Sequence, residues 1–385
     1  MNYAQANIAK KAENTIKYKI ILAMIGFFVA FLCLDKDAQA QEKTIGNFTY
    51  TYQDYQYPSA KKIWVTRIKI RKKAKVNTLK IPSKIDGKKV VKLGAEDKYE
   101  RGENIFGMYI SEDDNTMQPK GEGVISSVAK IKEIILPDSV TSMNSDCFSY
   151  LQDGKAINIP KGITKNVKWL CYIKWKKFSV SSQNPRYKVK NGILLSKNGK
   201  KISGFVGPGN KAVIPNGVKR IGQFTILGNA DEVFIPKSVT KIERWSLSGV
   251  SRFHVATGNK NYGASNNCVY SKRSGRLVVA GDTSGVIKIP EKVTCLKKGG
   301  VLGSGWIKKI VFPASLKRIE EGWNSRLDAP YKIKLVFKGR TPPKLVDTAL
   351  HEGLHLPIVY VKKGTKEKYK KALKKSKGLL TIKEY

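Results

Sequence analysis

The sequence is poor in the residues on which catalysis and metal binding usually rest. Only three of its 385 residues are histidine and five are cysteine. No cysteine pair has the C-x-x-C spacing of a zinc or redox site. Acidic residues are scarce as well: 30 Asp+Glu stand against 72 Lys+Arg, a formal net charge of +42. Arginine is the minor cation, 12 against 60 lysines. Specific readers of phosphate favour the planar guanidinium fork, whereas lysine is a hydrated point charge that attracts any polyanion. The charge therefore reads as diffuse attraction, which leaves no specific nucleic acid among the expected partners. Anionic cell-wall polymers are the nearest candidates, and plain solvation of every turn by lysine is the competing account.

A long apolar run is also missing. The uncharged run at residues 20–34 has 15 residues, short of the roughly 20 that a spanning helix needs. Lys10, Lys11, Lys17 and Lys19 precede it and Ala38-Gln39-Ala40 follows. That order describes a secretory signal peptide over residues 1–40, with an uncleaved anchor as the alternative. Cys33 follows Leu32, where lipidation wants a small residue, so no lipid anchor is expected. Cleavage leaves 67 of the 72 basic and 27 of the 30 acidic side chains, a formal charge near +40.

What the chain has is a repeated phrase, of which Val233-Phe234-Ile235-Pro236-Lys237-Ser238-Val239 is one version. Seven versions align on Pro82, Pro137, Pro160, Pro215, Pro236, Pro290 and Pro313. The residue before each proline is apolar, as are the residues three before and three after it. Six past the proline, five of the seven are apolar again. Two-residue alternation up to the proline predicts a strand with one face inward; a step of three beyond it predicts a corner. Long and short steps alternate between the prolines, Pro82 to Pro137 being the first long one and Pro137 to Pro160 the first short one. The short steps, about 22 residues, match a leucine-rich-repeat coil, and each long step holds an insertion. One long and one short step make a block. The blocks Pro82 to Pro160, Pro160 to Pro236 and Pro236 to Pro313 are nearly equal in length, as duplication of a two-coil unit would leave them.

The phrase resembles the BspA-type leucine-rich repeat, in which an apolar strand, Ile-Pro, a following Val and a later aromatic step make one coil. Asp146-Cys147-Phe148, Gln223-Phe224 and Arg244-Trp245 match that aromatic step; Lys298-Gly299-Gly300 departs from it. The resemblance covers roughly residues 45–385. It implies a secreted or surface-exposed binding protein of Gram-positive type, with adhesion as its use, and names no ligand.

The expected fold is mostly β: a leucine-rich-repeat solenoid with β-hairpin insertions, a β-rich N-terminal cap and a small α/β C-terminal cap. Residues 41–95, with Phe48, Tyr50, Tyr52 and alternating Ile63 to Ile70, form the cap and first coil. Residues 96–129 hold the main acidic cluster, including Glu112-Asp113-Asp114, and read as a solvated loop insertion without EF-hand spacing. Residues 130–338 are the solenoid and residues 339–385 the C-terminal cap, with Thr365 as the N-cap of a short basic helix. No sorting motif or wall-binding repeat is expected at the C-terminus.

Two insertions, near residues 178–210 and 253–285, match at one constant offset: Phe178 with Phe253, Tyr187 with Tyr262, Ile202 with Leu277. Each reads as a hairpin, turning at Asn198-Gly199 and Ser274-Gly275. Projecting hairpins would carry binding determinants; covering a sheet edge is the other reading. Cys147, Cys171, Cys268 and Cys295 recur at about one coil, which allows either stacked disulfides or buried thiols, the latter favoured.

The outward strand position, two before each proline, holds apolar residues at Ile135, Val213, Phe234 and Val311. They are the candidate binding residues, for an extracellular protein or glycan. Trp169 and Trp245, both nine past a proline, read as core filling. His351-Glu352-Gly353-Leu354-His355 matches the zinc-peptidase H-E-x-x-H, with Glu367 or Glu384 as third ligand. Pro357 and the internal Gly353 break the helix that this chemistry needs, so a zinc-dependent hydrolase is the rival reading, not the favoured one. His254, beside Phe253 in a strand, is expected to have no acid near it. The sequence thus points to a monomeric binding protein with no cofactor, no metal and no catalytic residue. A wall-associated structural protein held by charge is a further alternative.

Overall fold

The computed structural model describes residues 40–385 except 57, 72, 73, 75, 96–107, 111–116, 120–129, 145, 146, 149, 150, 152, 153, 224, 226–229, 282–284, 302–306, 325–331, 346–349, 351–356 and 374–379. The signal-peptide reading, the Cys33 reading, Asp146, Phe224, the acidic cluster and the H-E-x-x-H motif fall outside the described residues.

Three antiparallel strands open the described residues, Gln41–Ile45, Phe48–Asp54 and Lys62–Ile70. Phe48, Tyr50 and Tyr52 alternate inward, as does Ile63-x-Val65 on the facing strand. The pairing then changes direction. Lys62–Ile70 runs parallel to Lys88–Leu93, which runs parallel to Ser142–Met143, so the antiparallel sheet hands over to stacked coils.

The proline phrase folds as its pattern predicts. All fourteen residues one and three before the prolines are buried, from Leu79 and Ile81 to Ile310 and Phe312. The residues three past the prolines are buried too, and there the corner is visible in the hydrogen bonds. Val140, Val218, Val239, Val293 and Leu316 each donate a backbone N–H to the carbonyl of their proline. The chain turns through that closed four-residue loop and enters a second, two-residue strand. Period two becomes period three because the strand ends in a turn, not because it twists.

Among the described residues the coils stack into three parallel proline ladders rather than one. The first joins Thr78–Lys80, Glu133–Ile135, Ala156–Ile159 and Lys177–Val180. The second joins Lys211–Val213, Glu232–Ile235 and Arg252–Val255. The third joins Gly285–Lys288, Ile307–Phe312, Lys334–Phe337, Ile358–Val361 and Thr381–Glu384. Three hydrophobic cores accompany them.

The insertions account for the breaks, and they do not project as expected. Each is a three-stranded antiparallel meander: Tyr187–Lys190, Ile193–Ser196 and Lys201–Phe205; then Tyr262–Ser265, Cys268–Ser271 and Leu277–Ala280. In the first, Leu194 packs into the first core while Ile193, Leu195 and Ile202 pack into the second. In the other, Val269 and Val279 face the second core while Cys268, Leu277 and Ala280 face the third. A strand buried on both faces is a wall between compartments, which explains the unbroken apolar run Ile193-Leu194-Leu195.

One buried asparagine ties each wall to the coil before it. Asn184 donates through Nδ2 to the carbonyls of Pro160 and Ile163, at 2.9 Å each, and its Oδ1 accepts from Arg186 and Tyr187 N–H at 3.0 and 2.9 Å. Asn259, its counterpart in the second insertion, makes the same four bonds to Pro236, Val239, Asn261 and Tyr262. Both side chains are enclosed, and all the polar capacity that burial would otherwise leave unmet is used. The tight reversals between the first two strands of each meander use positive φ at Asn191-Gly192 and at Asn266-Asn267.

The departure at Lys298-Gly299-Gly300 has a steric reason. Gly299 has φ +78°, and a side-chain carbon there would stand 2.7 Å from the Trp245 indole nitrogen. Trp245, at the aromatic step of an earlier coil, itself has φ 55°. Its indole lies over the bare backbone at Gly299, so only one of the two positions can carry a large side chain.

At the C-terminal end a helix, Lys366–Ala372, buries Tyr369, whose hydroxyl donates to the Gly339 carbonyl at 2.9 Å. Thr365 stands at the N-cap but does not cap: its Oγ1 donates to the Lys362 carbonyl. Glu384 does that work instead. Its Oε1 accepts the N–H groups of Gly364, Thr365 and Lys366, a carboxylate against the positive end of the helix. Among the described residues no helix is long and apolar enough to cross a membrane.

Candidate binding surface

The outward face of the proline ladders is where the candidate residues lie, but they do not gather in one place. Ile135 is on the first ladder, between Lys80 and Asn158 in register, and is 38% exposed. Val311 is on the third, half-buried between Lys288 and Val336. Val213 and Phe234 are direct cross-strand partners on the second ladder, and Val213 is 49% exposed.

The second ladder carries more than the pattern of apolar residues predicts. Phe234 pairs in register with His254, and the two rings stack 4.3 Å apart at 8°. His254 Nε2 also lies 3.7 Å from Glu232 Oε2, so the histidine does have an acid beside it. Glu232 and Phe234 both precede His254 by about one coil, and the coil period is the signal that could have joined the three.

Glu232 is the electrostatic centre of this face. Lys211, Glu232 and Arg252 are in register, two positions before Val213, Phe234 and His254 and so on the same side. Arg252 hydrogen-bonds the carboxylate, and Lys211 lies 3.9 Å from its other oxygen. Desolvation works to raise the Glu232 carboxyl, but the Arg252 hydrogen bond and the charges of Arg252, Lys211 and His254 outweigh it and hold the group below its ordinary range. The result is a fixed anion in a cationic rim beside a stacked aromatic pair.

Two grooves open on the ladders among the described residues. One, of about 540 Å³, is floored by Val213, Phe234 and His254 and walled by Lys190 and Asn191 from the turn of the first meander. The other, of about 580 Å³, is lined by Lys80, Ile135 and Pro137 and by the Gly46-Asn47 turn of the N-terminal hairpin. Each therefore sits at the start of a ladder, where the preceding antiparallel turn overhangs it. The face offers apolar and aromatic surface with a basic edge. Among the described residues no cluster of three or more His, Cys, Asp or Glu side chains could hold a metal ion. Glu367 pairs with Lys370 at 2.7 Å, and Glu384 is committed to the helix amides.

No curated protein matches the chain. Among solved structures, the pneumococcal vaccine antigen PcpA is 11% identical, covering 90% of this chain and 99% of its own, with a TM-score of 0.29. A leucine-rich repeat protein from Bacteroides ovatus ATCC 8483 is 12% identical, covering 90% and 100%, with a TM-score of 0.30. One from Eubacterium ventriosum ATCC 27560 is 12% identical, covering 88% and 83%, with a TM-score of 0.29. The family model for the BspA type leucine rich repeat region matches in six copies over residues 114–183 and 209–326. With its proline corners and stacked ladders, the chain carries BspA-type leucine-rich repeats over those residues.

Proposed function

We propose that this is a secreted, surface-associated binding protein that adheres to or recognises an extracellular protein or glycan through the outward face of its proline ladders. The observation that carries this reading is the groove on the second ladder, where exposed Val213 and the stacked Phe234–His254 pair lie beside the Glu232, Arg252 and Lys211 charges. Apolar surface left open beside organised charge is the composition of a recognition patch. The related grooves on successive ladders give a rigid array in which weak contacts sum to avidity. The six repeat copies support a scaffold role over a catalytic one. Residues 1–40 would direct export, and the formal charge near +40 that remains favours retention by anionic wall polymers of a Gram-positive type of envelope.

The test is binding of the purified chain to immobilised extracellular-matrix proteins and a glycan array, with Val213→Asp and Phe234→Asp compared with the parent. Loss of the selected ligand with unchanged far-UV circular dichroism is expected. Retained binding by both variants would refute the assignment of this face.

A further inference from the structure

The two-residue strands that follow the proline corners form a second surface, and its outward positions are occupied mainly by cations. Lys201, Arg220 and Lys241 are register partners on three successive strands. Beyond the second meander the pattern returns: Arg276 bridges to Cys295, Cys295 pairs with Arg318, and Arg318 pairs with Lys344. Arg276 stands in the second copy of the duplicated block where Lys201 stands in the first, and Arg318 where Lys241 stands. The two halves adjoin, because the Tyr262 hydroxyl at the start of the second accepts the N–H of Ile242 at the end of the first, at 2.9 Å.

Charge counting shows that the row is only partly neutralised. Glu243 pairs with Arg220, and Glu320 pairs with Arg318 at 3.1 Å. Lys201, Lys241 and Lys344 are exposed and make no ion pair among the described residues. Strands in register are about 4.8 Å apart, so within each half the row presents cations at that step or, across Cys295, at twice it. A fixed row of this kind differs from the diffuse charge that composition suggests, since each side chain stands over a strand that cannot slide.

We infer that this row is a track for an extended, linear polyanionic glycan, sulfated or carboxylated, lying along the solenoid axis. An extended polysaccharide with an anion on each sugar places negative charge at a comparable step and needs no deep pocket. Single-stranded nucleic acid fits less well, since it is held by stacking its bases on aromatic side chains. Two aromatics beside the row are already engaged: Tyr187 packs against the first core, and Tyr262 packs against the second while its hydroxyl holds Ile242. The row lies past the proline corner from the Val213–Phe234 groove and is independent of it.

The experiment uses heparin as the probe and compares two charge-matched quadruple variants of the full chain. In the first, Lys201→Gln, Lys241→Gln, Arg318→Gln and Lys344→Gln empty the row. In the second, Lys80→Gln, Lys132→Gln, Lys288→Gln and Lys308→Gln remove four exposed lysines on or beside the proline-ladder strands. The row variant is expected to bind about tenfold or more weakly near 0.1 M salt, with the slope of log K against log salt reduced by roughly two to three, at about 0.7 per lost contact. The control variant and Val213→Asp/Phe234→Asp are expected to bind heparin within about twofold of the parent, the cations of the row being intact. Equal loss in both quadruple variants, or loss in the groove variant, would overturn the track. Oligo(dT) binding as tightly as heparin, with the same dependence on the row, would overturn the glycan. Circular dichroism and thermal melting of each variant confirm that the comparison is between folded proteins.

Discussion

Replacing Asn184 with Ala should loosen the wall between the first and second cores. The side chain makes four hydrogen bonds to backbone groups in an enclosed site, two given and two received. Alanine leaves the Pro160 and Ile163 carbonyls and the Arg186 and Tyr187 N–H groups without that partner. At about 1 kcal/mol net for each bond the loss is about 4 kcal/mol, and more where water cannot reach the vacated groups. An equilibrium constant for local opening would rise on the order of a thousandfold. A solenoid need not unfold in one step, so a global midpoint would blur this local opening. Amide hydrogen exchange read at Arg186, Tyr187 and the strand Ile193–Ser196 isolates the event. Asn259→Ala should do the same to the second meander, through its matching set of bonds, and leave the first protected. Exchange accelerated less than about fivefold, roughly 1 kcal/mol, would mean that no more than one bond is lost. The clasp would then be ornamental, and the reading of these asparagines would fail.

Gly204→Ala should be poorly tolerated, because its Cβ would fall 1.8 Å from Cys171 Sγ; a loss of about 2–3 kcal/mol is expected, with partial recovery in Gly204→Ala/Cys171→Ala, measured by urea denaturation. Burial pushes the Cys268 thiol from an ordinary value of 9.0 up to about 12, and Tyr50 and Tyr369 from 10.0 to about 12. These raised values make stability complete below pH 9 and progressively lost as pH rises toward 12, because the unfolded chain ionises first; a thermal-melting series that is flat across that window would contradict this. Thiol alkylation at pH 8 should reach half-buried Cys295 well before buried Cys268, checked by mass spectrometry of the digested protein, and equal rates would count against the core assignment.

The repeat made the coil legible, and the corners with it. Fourteen apolar positions before the prolines predicted fourteen buried side chains, since a strand with one face inward leaves no other sequence. The walls are harder to read. Ile193-Leu194-Leu195 announces a strand buried on both faces, yet without the stacking order nothing says that two different cores claim its sides. Tyr187 and Tyr262 are visible in the sequence as a pair, while the Asn-x-x-Tyr spacing that precedes each gives no warning, because asparagine in a turn usually means solvent. On the binding face, Val213 and Phe234 follow from the pattern. Glu232 and His254 do not, for their meeting depends on one full coil being closed, and closure is a property of the folded chain.

A wall shared by two compartments also constrains how such a chain can change length. Insert one residue ahead of Leu194 and its side chain changes rooms with its neighbours, so both cores would receive the wrong lining at once. Growth by single residues is closed to it there. What remains open is copying a whole unit, wall included, and the near-equal spans between Pro82, Pro160, Pro236 and Pro313 are the length record that such copying leaves.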